Sequence, residues 1–263
     1  MNSPRKFTSE KQRMINTKTM KRILVLAGIL VSLAAAQIVF AQTEGVITYE
    51  TKVNLHRTLP PGQEDRKAVI PEFRTTKQQL FFNTNESLYK PLIEDEEEGA
   101  HGGGMQVTIR IPNNETYINQ SSGELLSKNE FFGKDYLVAD TLKVSPWKLG
   151  AETKDIQGYS CRQAFYTDAA GPRKLDITAW YTDQIRTTLG PERFGTLPGT
   201  VLAIDINNGE RVVVARKVEL RPLKKNEIKA PSSGQRMTTA EYRKMVDEQM
   251  KKMGGSGGMI IRN

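Results

Sequence analysis

The sequence predicts a mainly β protein: an antiparallel twisted sheet or half-open barrel with one C-terminal α-helix packed on it. From Gly45 onward apolar residues recur with period two, the spacing at which a strand with one buried face alternates its side chains. The runs are short and divided by turn-forming residues, which favours antiparallel neighbours over a parallel sheet crossed by helices. A single segment near the C-terminus switches to helical spacing.

Ile47, Tyr49, Val53 and Leu55 share one face of the first run. Leu80 to Asn83 and Ser87 to Leu92 follow as strands. Met105, Val107, Ile109 and Ile111 alternate again, Pro112-Asn113-Asn114 supplies a turn, and Thr116 to Asn119 returns. Tyr136 to Ala139, Tyr159 to Thr167, Leu175 to Thr182, Val201 to Ile206 and Arg211 to Leu220 complete the set. Asn207-Asn208-Gly209 joins the last two as a hairpin. Thr238 or Thr239 caps a helix that runs to Met253, with Glu241 in its first turn, Lys251 and Lys252 in its last, and Gly254 as its stop. Tyr242, Met245, Val246, Gln249 and Met253 form the stripe that lies on the sheet. Leu59 to Val69 and Glu94 to Gly104 read as loops.

Ahead of this domain stands an export leader. Lys21 and Arg22 form its charged start, Ile23 to Ala36 is an apolar run interrupted only by Gly28 and Ser32, and Val39-Phe40-Ala41 is a small-residue cleavage site that leaves Gln42 as the new N-terminus. The run is too short for a membrane span, which needs about 20 apolar residues. The organisation is therefore residues 1–19 as a dispensable extension or mis-assigned start, 20–41 as signal peptide, 42–235 as the β-rich domain, 236–253 as the packed helix, and 254–263 as a glycine-rich hinge and apolar tail. Periplasmic or secreted localisation follows, with no transmembrane anchor in the mature chain.

The leader also disposes of the chain's basicity. Net charge is +8, yet residues 1–41 hold seven of the 38 basic residues and one of the 30 acidic ones, so the remainder carries +2. No basic patch is left for a phosphate backbone, and nucleic acid is excluded as a partner. Cys161 is the single cysteine, so stability rests on a packed core rather than an internal disulfide, and no lipid-anchoring cysteine stands at the cleavage site.

The most distinctive stretch contains Gly158-Tyr159-Ser160-Cys161-Arg162-Gln163-Ala164, then Ala179-Trp180-Tyr181-Thr182, then the segment from Gly190 to Ile204. In that order and spacing these residues resemble the GLPGLI family of exported bacterial proteins, as does the opening Gly45-Val46-Ile47-Thr48-Tyr49. Thr196 stands where that family has glycine, and Thr200 and Val201 stand where it has leucine and isoleucine. The motif residues are Gly190, Pro191, Phe194, Gly195, Leu197, Pro198 and Gly199. The resemblance implies a bacterial envelope protein of a family with no established enzymatic activity. Physics supplies a structural role for the same residues: Pro198 sets φ for a turn, Gly199 takes a positive φ, β-branched Val201 starts a strand, and Phe194 and Leu197 fill the core.

No residue set predicts catalysis or a cofactor. Cys161 needs a base, and only His56 and His101 are on offer, neither in a context that brings it near. His101, Met105 and Met259 beside flexible glycines compose a soft-metal candidate. Glu94 to Glu98 lacks the alternating ligands of a calcium loop. The function expected from all this is a non-enzymatic envelope protein that binds a hydrophobic ligand or a partner protein, with Met259-Ile260-Ile261 available for strand addition. The alternatives are a hydrolase acting on extracellular polymers and a periplasmic soft-metal handling protein.

Overall fold

A computed structural model describes residues 43–59, 62–93, 112–169, 171 and 173–254. Among the described residues twelve strands form one sheet: β1 (Gly45–Asn54), β2 (Phe73–Phe82), β3 (Glu86–Pro91), β4 (Glu115–Asn119), β5 (Glu124–Phe131), β6 (Lys134–Thr141), β7 (Lys148–Ile156), β8 (Tyr159–Asp168), β9 (Leu175–Thr182), β10 (Thr200–Ile206), β11 (Arg211–Leu220) and β12 (Gln235–Thr238). Their spatial order is β12-β6-β5-β4-β3-β2-β1-β11-β10-β9-β8-β7. The first strand thus lies inside the sheet, with one meander, β2 to β6, on one flank and a second, β7 to β11, on the other. The sheet is twisted and does not close into a barrel: among the described residues β7 and β12 each have a single strand neighbour. The mainly β architecture with a C-terminal helix is as the alternation predicts.

One pairing departs from expectation. All neighbours are antiparallel except β12 and β6, which run parallel with Gln235 opposite Tyr136 and Thr238 opposite Ala139. The chain leaves β11 in the middle of the sheet and reaches the far edge through residues 221–234, and that long return permits the parallel entry. The alternation pattern also passed over β5, β7 and β12. In β7 eight of nine residues are not buried, so neither face is apolar and no periodicity marks it.

Register sets the faces. Across β1 and β2, Ile47 pairs with Leu80, Tyr49 with Gln78, Thr51 with Thr76 and Val53 with Arg74. Across β1 and β11, Thr51 pairs with Val213 and Val53 with Arg211, beyond a bulge at Thr48/Tyr49. Directly paired residues project to one side, so these groups share what we term the core face. The main cluster there joins Ile47, Tyr49, Leu80 and Phe82 to Ile177, Tyr181 and Ile204, and it also takes in Ile185, Leu189, Phe194 and Leu197 from the β9–β10 connection. A smaller cluster of Leu88, Tyr117, Leu126 and Leu137 on the opposite face is covered by Ile228 and Ala230 from the β11–β12 return.

The C-terminal helix spans Thr239–Gly254. Thr238 caps it reciprocally: Glu241 N donates to Thr238 Oγ1 at 3.2 Å, and Thr238 N donates to Glu241 Oε2 at 2.7 Å. It meets the sheet at the β6 end, where Tyr242 packs against Tyr136 with ring centroids 5.8 Å apart and Thr239 donates to Asp140 at 2.7 Å. Tyr242, Met245, Val246 and Met250 are half-buried, and none is buried fully. Among the described residues no helix is long and apolar enough to cross a membrane.

Candidate functional site

The motif-bearing connection, residues 183–199, has no regular secondary structure, yet it is a plug in the core face. Its Ile185, Leu189, Phe194 and Leu197 are exposed by 2% or less. Burying irregular backbone requires substitute partners for its polar groups. They are present: Thr196 N donates to Thr188 O at 2.8 Å, Val201 N to Leu189 O at 3.1 Å, Trp147 Nε1 to Gly195 O at 3.0 Å, and Thr200 Oγ1 to Ile185 O at 3.2 Å. Tyr49 OH reaches from the central strand to Val201 O at 2.6 Å. Gly190 is dictated by close approach, since a Cβ there would stand 2.0 Å from Phe194 O. Gly199 adopts φ +154°, and its Cβ would stand 2.2 Å from Thr182 O. The seven motif residues therefore lie together in the plug; packing accounts for Gly190, Phe194, Leu197 and Gly199, whereas Pro198 is exposed. Between the plug's two arms, Asp183–Thr188 and Pro198–Gly199, is a cavity of about 170 Å³, below the several hundred Å³ typical of ligand pockets.

Beside the plug the core face turns polar. Gln78 on β2 is held at three points: Thr51 Oγ1 donates to its Oε1 at 2.7 Å, Tyr89 OH donates to the same oxygen at 3.3 Å, and its Nε2 donates to Thr76 Oγ1 at 2.7 Å. The plug adds Glu192, which takes a bidentate pair from Arg211 at 2.7 and 3.0 Å. Glu192 holds φ +53°, a conformation that a non-glycine residue keeps only where its surroundings fix it. Next to these, Glu210 accepts from Arg173 Nη1 at 3.1 Å and from Asn207 Nδ2 at 3.1 Å. The polar end comprises Thr51, Arg74, Thr76, Gln78, Tyr89, Glu192 and Arg211.

Its electrostatics follow from burial and pairing. Burial, then the charge of Glu192, pushes the Tyr89 phenol far up, so it remains a neutral hydrogen-bonding group. Burial alone would lower Arg211, and Glu192 reverses that and holds it above its ordinary value. Arg74 has no such answer: burial lowers it from its ordinary value. Every described carboxylate whose pKa is displaced is displaced downward, namely Glu64, Asp140, Asp176, Glu227 and Glu241. What the polar end can do is recognise a ligand rich in hydroxyl and charged oxygen groups through fixed amide, hydroxyl and guanidinium groups.

The residues singled out from sequence fare differently. Cys161 is buried, its thiol pushed up to about 11 chiefly by burial, and it donates to Tyr159 O at 3.4 Å. His56 Nε2 lies 3.0 Å from Ile70 O, so no thiol–imidazole pair forms between the two. His101, Met105 and Met259, and the cleavage pair Ala41 and Gln42, lie outside the described residues. So do the strand placed over Met105 to Ile111 and the tail Met259 to Ile261. Among the described residues no three His, Cys, Asp or Glu side chains group as metal ligands. The polar end escaped sequence reading. Its one trace was polar Thr51, Thr76 and Gln78 at positions where the alternation calls for apolar side chains.

A family model described as the N-glycanase peptide, N-terminal domain, matches residues 104–244. Two solved structures share the fold. "Structure of PNGF-II in P21 space group" gives a TM-score of 0.51 at 18% identity, covering 78% of this chain and 34% of that one. "Structure of PNGF-II in C2 space group" gives 0.52 at 18% identity, covering 78% and 33%. The chain spans about a third of the length of those proteins. No curated protein matches it. The family match overturns the GLPGLI resemblance. The turn that suggested it, Leu197-Pro198-Gly199, reports a buried plug with a close glycine contact, a demand of packing that does not identify a family.

Proposed function

The chain belongs to the N-glycanase peptide, N-terminal domain family, and from that membership we propose that it works in N-glycan hydrolysis, on glycosylated polypeptides outside the cytoplasm. The match over residues 104–244 is the observation that carries this reading. It corrects the expectation of a non-enzymatic envelope protein, which drew on a family without known activity, and it agrees with the alternative of a hydrolase acting on extracellular polymers. The polar end of the core face supports it: the half-buried Arg74, Thr76 and Gln78 stand beside the Glu192–Arg211 pair, polar groups of the kind that sugar hydroxyls match. The leader at 20–41 supports action outside the cytoplasm.

The test is to incubate the chain with an N-glycosylated protein and follow intact mass. Loss of the glycan mass is expected. An unchanged mass, together with no saturable binding of an N-glycopeptide, overturns the proposal. Sequencing the exported protein checks the compartment, with Gln42 expected as its first residue.

A further inference from the structure

Arg211, Val53 and Arg74 lie in one row across β11, β1 and β2, on the same side of the sheet. The two guanidiniums flank one apolar residue and are treated in opposite ways. Arg211 is matched by the Glu192 fork. Arg74 is half-buried and meets no carboxylate among the described residues, while Glu72, two positions along, accepts from Asn54 Nδ2 at 3.1 Å instead. A guanidinium does not shed its charge when desolvated, so a partly buried one without a counter-ion is stabilised by an arriving anion. The fork geometry favours a planar carboxylate that can take two parallel hydrogen bonds.

The neighbouring groups specify what else that anion carries. Thr76 Oγ1 already accepts from Gln78 Nε2 at 2.7 Å, which leaves its hydroxyl proton to donate. Thr76 is two residues from Arg74 on the same face, about 7 Å along the strand, roughly the span of a sugar ring and its substituent. Gln78 is immobilised from three sides, so the wall does not reorganise on binding.

We infer that Arg74 and Thr76 form a subsite for a carboxylate-bearing sugar, a sialic or uronic acid carried on the glycan. This rests on the glycan-acting reading above and adds a charge preference to it.

The experiment titrates the full chain with sialyllactose, lactose and inorganic phosphate, following amide chemical shifts. Sialyllactose is expected to bind about tenfold tighter than lactose, the worth of one charge-assisted fork. Arg74→Gln should abolish that advantage, bringing sialyllactose to the affinity of lactose, and Arg74→Lys should keep part of it. Thr76→Val should weaken both sugars, and thermal melts of all variants should match the parent. Equal affinity for sialyllactose and lactose overturns the subsite, as does an unaffected Arg74→Gln or displacement of sialyllactose by phosphate at equal concentration. Loss of glycan from a glycoprotein with no sialyl preference defeats this inference alone, whereas no glycan release and no sugar binding defeat the parent reading.

Discussion

The plug at 183–199 and the helix at 239–254 invert the usual relation between regularity and burial. The plug has no repeating structure, yet Ile185, Leu189, Phe194 and Leu197 are almost fully enclosed. The helix is capped, regular and amphipathic, yet none of its described side chains is buried fully. Burial, not hydrogen-bonded repetition, decides how much a segment contributes to stability. A helix resting on one end of a sheet removes little surface from water, whereas a loop threaded through the core removes much.

Substitution should separate the two segments widely. Leu197→Ala, and likewise Phe194→Ala, should destabilise the protein by about 3–5 kcal/mol, seen as a lower urea midpoint at unchanged slope. Met245→Ala on the helix should cost under about 1 kcal/mol, because its site is already half open to water. Comparable losses at Leu197 and Met245 would break the contrast.

The next effect concerns how the plug is moored. Arg211→Met leaves Glu192 without its fork. The side chains are 22% and 29% exposed, so the loss should fall between that of a surface pair and a buried one, about 1–3 kcal/mol by urea unfolding. A loss below about 0.5 kcal/mol would show that apolar contacts alone seat the plug.

The helix offers its own smaller measure. Thr238→Ala removes one half of the reciprocal cap and should cost about 1 kcal/mol, with the loss of helical circular dichroism preceding loss of the sheet signal. Simultaneous loss would mean that the helix is bound into the sheet's cooperative unit.

The smallest effect lies in the return segment 221–234. Arg221, helped by Lys224 N, holds the Glu227 carboxyl down to about 2 from its ordinary 4.5. A lowered folded-state pKa adds stability above the ordinary value, and that stability fades as pH falls toward 2. Glu227→Gln should therefore melt slightly below the parent at neutral pH, by a few tenths of a kcal/mol, with the gap closing between about pH 5 and 2. A gap that persists at low pH would assign the effect to shape instead of charge.

What could be read from the sequence divides along the same line. Strands with one apolar face announce themselves: Ile47, Tyr49 and Val53 mark β1, and the alternation from Tyr159 marks β8. The helix was legible because caps and a 3.6-residue stripe are local signals, with Thr238 and Glu241 three residues apart. β7 was not, because an edge strand exposed on both faces has no period. The plug was visible as a motif but misread as to family, since close packing imposes glycines on any chain that must do this. The polar end was invisible for a different reason. Arg74, Tyr89, Glu192 and Arg211 come from four places in the chain, and the registers of β1 with β2 and β11 and of β2 with β3, together with the seating of the plug, bring them to one face.

That register also has a consequence in time. β1 is the first of the described strands to be made, and it is bordered by β2 on one side and by β11 on the other, with Gly45 beside Leu220. A chain emerging residue by residue can fold the first meander against one border only. The other border, and the plug that Tyr49 fastens, must wait until the last third of the sequence has appeared. Such dependence on distant segments makes for slow, late closure, in which the open border of β1 stays unpaired until β11 arrives.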